Sequence, residues 1–200
     1  MAWGRRSGLQ GVGGTVGGGE WTSRSMPYLT ARPPGAADAW TEEAAEAGRR
    51  GGQRILHAGE VVAPARVALL LGLTAGSTVV TRRRLIELDH EPVELTDTYY
   101  PRDIAAGTPL AGTAKIRGGA VTLLAALGHV GVRVVEDVTA QIPHEDERER
   151  MRLGAGEPVL RLTRTTYDAT DRPIQADVML MPAGRQQVRY EIRLGPSQPG

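Results

Sequence analysis

Three consecutive arginines, Arg82, Arg83 and Arg84, lie inside GSTVVTRRRLIELDHEPVEL, Gly76 to Leu95, a stretch that otherwise reads as β-strand. Side chains on a strand alternate faces, so Arg84 shares a side with Val80, Arg82, Ile86 and Leu88, whereas Arg83 points the other way with Val79 and Leu85. Arg164 likewise shares a side with Leu160 and Leu162. A guanidinium on an apolar face is costly unless it is paired. Two readings follow. Each arginine meets a carboxylate such as Asp97, Glu136 or Asp177, or a guanidinium fork waits for a carboxylate or phosphate that binds in two-pronged fashion.

The stretch KIRGGAVTLL, Lys115 to Leu124, favours the second reading. Gly118 and Gly119 precede or open an amphipathic helix, where free backbone N–H groups and the helix dipole favour an anion. With the strand arginines and the polar series Glu94, Thr96, Thr98 and Tyr100, this turn could line one small-molecule pocket. Catalytic chemistry is not visible. The four histidines, His57, His90, His129 and His144, lack metal-ligand or zincin spacing, and no nucleophile elbow is present. No metal site and no cofactor are expected. The cluster HEDERERMR, His144 to Arg152, reads as a solvated helix face.

The elements that must position these residues follow from periodicity and turn chemistry. Pro64 opens a short helix carrying Val67, Leu70 and Leu71, and Gly72 ends it. Strands are predicted over Thr78–Asp89 and Pro92–Tyr100, joined at His90-Glu91 as a hairpin. A short helix starts near Pro101 and a clearer one spans Gly119–Leu127. Further strands are predicted at Val132–Ala140, Val159–Asp168, Pro173–Leu180 and Gln187–Leu194, with a charged helix over Glu145–Leu153. This run of strands and turns implies an α+β body built on a mainly antiparallel sheet flanked by helices. An internal repeat is visible. Leu71, Leu73, Gly76, Val79, Arg84 and Pro92 recur as Met151, Leu153, Gly156, Val159, Arg164 and Pro173, which puts Arg84 and Arg164 in equivalent places.

RRRLIELDHEPVELTDTYYP (Arg82 to Pro101), IAAGTPLAGTAKIRGGAVTLLAALGH (Ile104 to His129), GEPVLRLTRTTYDATDRPIQADVMLMPAGR (Gly156 to Arg185) and VRYEIRL (Val188 to Leu194) together resemble the UTRA domain, the effector-sensing half of HutC-type regulators of the GntR family. The resemblance covers about Val61 to Leu194. It implies a chorismate-lyase-like fold, a homodimer, and a small anionic effector such as a sugar phosphate or a carboxylated metabolite. The family's anion-binding arginine falls on Arg84, its helix-start loop on Gly118, Gly119 and Ala120, and a polar strand residue on Thr98. Further pocket contacts fall on Arg164, Gln175 and Arg185. Two features depart from the family pattern. The helix-start loop lacks its usual hydroxyl residue, and Thr96 and Gln175 stand where acidic residues are common.

Such regulators begin with a winged helix-turn-helix, and no recognition-helix pattern precedes Val61. Residues 1–60 read as a Gly/Ala-rich tail or linker, 61–195 as the UTRA-like domain and 196–200 as a C-terminal tail. All three tryptophans, Trp3, Trp21 and Trp40, sit in the first of these, so part of it is expected to pack on the body. Ala39 to Arg50 could form a short helix capped by Thr41, and Gly4 to Val16 could be the remnant of a wing and linker. The 24 basic and 23 acidic residues leave a net charge of +1, too little to hold nucleic acid through a whole-chain field. DNA is therefore expected to be reached only through a missing or partner winged helix-turn-helix. Cysteine is absent, Arg5-Arg6 is not followed by the apolar run of an export signal, and no window has the length of a membrane span. A cytoplasmic effector sensor is the resulting expectation. A chorismate-lyase-like enzyme and a dimerisation partner of a full-length regulator are the alternatives.

Overall fold

The computed structural model describes residues 21–23, 28–32 and 38–190. Its centre is a six-stranded antiparallel sheet. In chain order the described elements are β1 (Trp21–Ser23), α1 (Ala39–Glu46), β2 (Gly51–Val62), α2 (Ala65–Leu70), β3 (Thr78–Leu88), β4 (Glu91–Pro101), α3 (Arg102–Ala105), a 3-10 turn (Pro109–Ala111), α4 (Gly119–Ala126), β5 (Arg133–Gln141), α5 (Glu145–Arg150), β6 (Val159–Tyr167), β7 (Pro173–Pro182) and β8 (Gln186–Val188). The sheet runs β2-β3-β4-β7-β6-β5, and β1 pairs with β8 in a separate parallel ribbon.

Most elements lie where periodicity puts them, within a residue or two. The β3–β4 hairpin turns at Asp89 and His90, both at positive φ (51° and 71°), the geometry of a tight two-residue connection. Two corrections concern the residues before Val61. Gly51 to Val62 form a long edge strand on β3, so the sheet already includes residues the sequence suggests as linker. The cap of α1 is Asp38, whose Oδ1 accepts from the Thr41 N–H at 3.0 Å; Thr41 itself lies inside the helix. The strand expected over Gln187–Leu194 is described only as Gln186–Val188, and Glu191 to Leu194, like Trp3 and Gly4 to Val16, lie outside the described residues.

Helices cover both faces of the sheet. On one face, α2 and the end of α5 pack through Val67, Leu71, Met151 and Leu153 onto Val79, Leu85, Leu95, Ala176 and Leu180. On the other, Ile104, Leu110 and Leu124 join Val80, Tyr100 and Ile174 at one end, while Trp21, Trp40 and Ala44 cover Ile86 and Leu88 at the other. Between these two apolar clusters the second face is polar.

The internal repeat is a structural one and is longer than its sequence trace. β2-α2-β3-β4 and β5-α5-β6-β7 are two copies of a strand-helix-strand-strand unit, and the sheet joins them through β4 and β7. Asp97 faces Val178 at the centre of that joint, and the repeat superimposes the same two positions, so the pairing has local twofold symmetry. The edge strands obey the same relation except at one place. β5 runs on β6 without interruption and sets Glu136 opposite Arg164. β2 is irregular between Ile55 and His57: Ile55, which lines the cavity, stands opposite Arg84 where β5 sets Glu136 opposite Arg164, and the bulged Leu56 packs on the helix-covered face with Leu85 and Leu95.

Candidate functional site

The polar centre of the second face opens into a cavity of about 170 Å³. Its floor is the sheet: Arg82 and Arg84 from β3, Glu94 from β4, Gln175, Asp177 and Met179 from β7, and Arg164 from β6. One wall is the start of α4, Gly118 to Val121. Another is the aromatic pair Trp21 and Trp40, with Tyr28, Thr30, Arg32 and Asp38 completing the enclosure.

The arginines separate into four roles. Arg83 points away from the cavity and makes a bidentate pair with Asp97, both bonds at 2.7 Å, which raises its affinity for the proton. Arg82, only 4% exposed, donates to the backbone carbonyls of Pro109 (3.1 Å), Leu110 (3.3 Å), Gly112 and Ala114 (3.1 Å), so its charge ties down the loop leading to α4. Arg164 donates through Nε to Glu136 at 2.6 Å in a buried pair, and Glu136 also accepts from the Tyr190 hydroxyl. Arg84 is different. It donates from Nη2 to Thr98 Oγ1 at 3.1 Å, it forms no ion pair among the described residues, and its buried Nε has no hydrogen-bond partner there.

The remaining polar groups of the floor largely satisfy one another. Thr98, 1% exposed and just beneath the cavity surface, donates to Asp177 Oδ1 at 2.7 Å. Gln175 Nε2 donates to Asp177 Oδ2, also at 2.7 Å. Asp177 is thus held by neutral donors and not by an arginine contact. Glu94 accepts from Thr96 Oγ1; its removal from water pushes its carboxyl above the ordinary range, against the lowering pull of Thr96, Arg84 and Arg164.

At the helix wall, Gly118 occupies the N-cap position of α4 with φ 74°, a left-handed conformation open to glycine, and offers no capping side chain. The Gly119 N–H donates to Ile116 O at 3.1 Å. The next first-turn N–H groups, of Ala120 and Val121, have no carbonyl one turn earlier to receive them. Thr122 Oγ1 donates to Gly118 O at 2.7 Å and accepts the Arg32 N–H at 3.0 Å, which fixes the segment around Arg32 over this turn. Lys115 and Asp38 pair at 2.9 Å beside it.

Of the residues singled out in the sequence, Arg84, Gly118, Gly119, Ala120, Arg164 and Gln175 line one cavity, and Thr98 supports it from below. Arg185 is not in its lining: it reaches Glu157 at 3.3 Å, and its carbonyl accepts the Trp21 N–H. Sequence reasoning missed Arg32 and the Trp21–Trp40 wall. The concentration of tryptophans ahead of the body was the available signal. Among the described residues no cluster of His, Asp or Glu has the geometry to hold a metal, and no helix is long and apolar enough to cross a membrane.

An antiparallel α+β sheet that encloses a polar cavity from one face defines a small-molecule-binding module. The profile of the UTRA domain matches residues 46–187, and the chain belongs to that family. It is a regulatory, effector-binding domain of the GntR transcriptional regulators and not a catalyst. The uncharacterized HTH-type transcriptional regulator SCO4628 of Streptomyces coelicolor is 34% identical over 110 residues, 53% of this chain; the match spans 40% of that relative's length. The ligand-binding domain of a GntR-family regulator from Bordetella bronchiseptica superposes with a TM-score of 0.63 at 28% identity, over 72% of this chain and 90% of that one. The effector domain of PhnF from Mycobacterium smegmatis has the same fold, chorismate-lyase-like, with a TM-score of 0.67 at 22% identity over 78% of this chain and 94% of that one.

Proposed function

We propose that the chain senses a small anionic metabolite, which binds with its carboxylate or phosphate on Arg84. The observation that carries this reading is the unneutralised guanidinium: Arg84 faces a partly open cavity with a buried, unpartnered Nε, while the strand arginines Arg82, Arg83 and Arg164 are each engaged within the protein. An anion there receives charge-assisted hydrogen bonds from the fork and further help from the N–H groups of Ala120 and Val121. Gln175 and Arg164 lie on the same floor within reach of the rest of a small ligand.

In such a regulator DNA is contacted by a separate winged helix-turn-helix, and no such motif occurs among the described residues. A homodimer in the cytoplasm is the proposed working form. β5 supports it, because it lies at the sheet edge with Val135 and Val138 each more than 40% exposed, an edge that a second copy would cover. Thermal melting of the purified chain against a panel of phosphates and carboxylates tests the sensing role. Stabilisation by at least one anion, abolished in Arg84→Ala, is expected; a panel in which no anion shifts the wild-type melt would overturn it.

A further inference from the structure

Resting on that reading of Arg84, we infer that the effector is an amphipathic anion, one carboxylate or phosphate on an apolar, ring-sized body that packs against Trp21 and Trp40, and not a polyhydroxylated sugar phosphate. Three observations carry it.

The first is the wall itself. Trp21 and Trp40 meet edge to face, centroids 5.2 Å apart and planes at 72°, and both line the cavity with Ile86 and Val93 beside them. Trp40 is held rigidly: its indole N–H donates to the carbonyls of Gly52 and Glu87, each at 3.1 Å. The backbone of Gly51 passes so close that a Cβ there would lie 2.9 Å from Trp40 Nε1 and from Ala44 Cβ. A preorganised aromatic surface of this kind favours an apolar or aromatic partner.

The second is the shortage of unengaged polar groups. Asp177 is taken by Thr98 and Gln175, Arg164 Nε by Glu136, Arg82 by loop carbonyls, and Asp38 by Thr41 and Lys115; besides Arg84, the buried lining donor without a partner among the described residues is Arg32 Nε, a cation suited to the acid group and not to a hydroxyl-rich body. A sugar would bring several hydroxyls into this space with few partners, and each unpaired buried hydroxyl opposes binding. An apolar body makes no such demand.

The third is size and spacing. A volume of about 150 Å³ has room for a benzene ring, and this cavity measures about 170 Å³, with its apolar lining gathered at the tryptophan wall. Ile86, which packs in the tryptophan cluster, follows Arg84 by two residues on the same strand face, about 7 Å along the strand. An acid group one or two bonds from a six-membered ring spans that interval.

The test is a calorimetric titration of the wild-type chain and of Arg84→Ala with phenyl phosphate, phenylacetate, glucose 6-phosphate, inorganic phosphate and benzyl alcohol, with tryptophan fluorescence as a second readout. Phenyl phosphate or phenylacetate is expected to bind at least tenfold more tightly than glucose 6-phosphate and inorganic phosphate, to change tryptophan emission, and to lose at least tenfold in Arg84→Ala. Trp21→Leu should lower the affinity for the aryl ligand and leave that for inorganic phosphate unchanged. Glucose 6-phosphate binding more tightly than either aryl anion, with the same dependence on Arg84, would overturn the inference and leave the anion-sensing role standing. Benzyl alcohol binding as well as phenyl phosphate, or no Arg84-dependent binding at all, would overturn both.

Discussion

Arg84 and Arg164 occupy equivalent positions in two copies of one β-α-β-β unit, yet only Arg164 meets a carboxylate on the neighbouring edge strand. The same side chain thereby has two energetic characters. In the Arg164–Glu136 pair, with exposures of 9% and 10%, each charge depends on the other. Removing Arg164 takes from the buried Glu136 its cation, and breaking such a pair costs roughly 3–5 kcal/mol. Arg164→Ala should therefore melt on the order of 10 °C below wild type, at about 2–4 °C per kcal/mol for a chain of this size. Arg84→Ala should melt close to wild type without ligand and lose about 1.5–3 kcal/mol of anion binding. Equal melting losses in the two variants would make Arg84 a structural residue.

Arg82 predicts a different defect. Its guanidinium is the shared donor for four carbonyls between Pro109 and Ala114, the segment that delivers the chain to the Gly118 turn. Arg82→Met keeps much of the apolar stem but leaves those acceptors dry, so a loss of about 1–3 kcal/mol is expected. Amide hydrogen exchange should accelerate between residues 109 and 120 and remain unchanged in β6 and β7.

Glu94 gives the site a pH dependence with a definite sign. Burial raises its folded-state pKa, so its contribution to stability is fully present below the unfolded carboxylate value and is lost as pH rises through the folded value. An ionised Glu94 also repels an anion bound at Arg84. Lowering pH through the Glu94 titration should tighten binding of a ligand whose own charge is constant over that range, such as an aryl sulfonate. Glu94→Gln should flatten the profile and raise the melting temperature at neutral pH. A wild-type affinity that falls on acidification would contradict this assignment.

Gly118 should resist substitution. An added Cβ would lie 3.3 Å from Thr122 Cγ2, in a backbone conformation with φ 74° that costs an L-residue about 1–2 kcal/mol. Gly118→Ala is expected to lose about that much stability and to weaken anion binding further, since the first turn of α4 must shift. Calorimetry at a temperature well below its melt separates the two effects.

The hairpin, the α4 turn and the repeat were legible because each is written in local chemistry: a turn expected at His90-Glu91 between alternating strands, found one residue earlier at Asp89-His90, Gly118-Gly119 before an apolar run, and recurring Gly and Pro at an offset of 80 residues that grows by one at the second turn. β2 was not legible. Its glycines at 51, 52 and 59 mimic a linker, and the irregularity at Leu56 breaks the alternation a reader looks for. Parity assigned Arg83 and Arg84 to opposite faces correctly, but it could not say which arginine would be neutralised. That depends on which residue an edge strand sets alongside, and register is a tertiary property. The tryptophan wall was hidden for a similar reason, since Trp21 reaches the site only through its pairing with Gln186 near the other end of the chain.

The apolar residue opposite Arg84, Ile55, has an evolutionary reading. If the two units descend from one duplicated segment, the place opposite the shared arginine came to hold Glu136 in β5 and the apolar Ile55 in β2, with Leu56 bulged out beside it. No new cation had to be acquired. The same arginine is a framework contact where a carboxylate stands opposite it and vacant chemistry where an isoleucine does, while the paired half holds the fold.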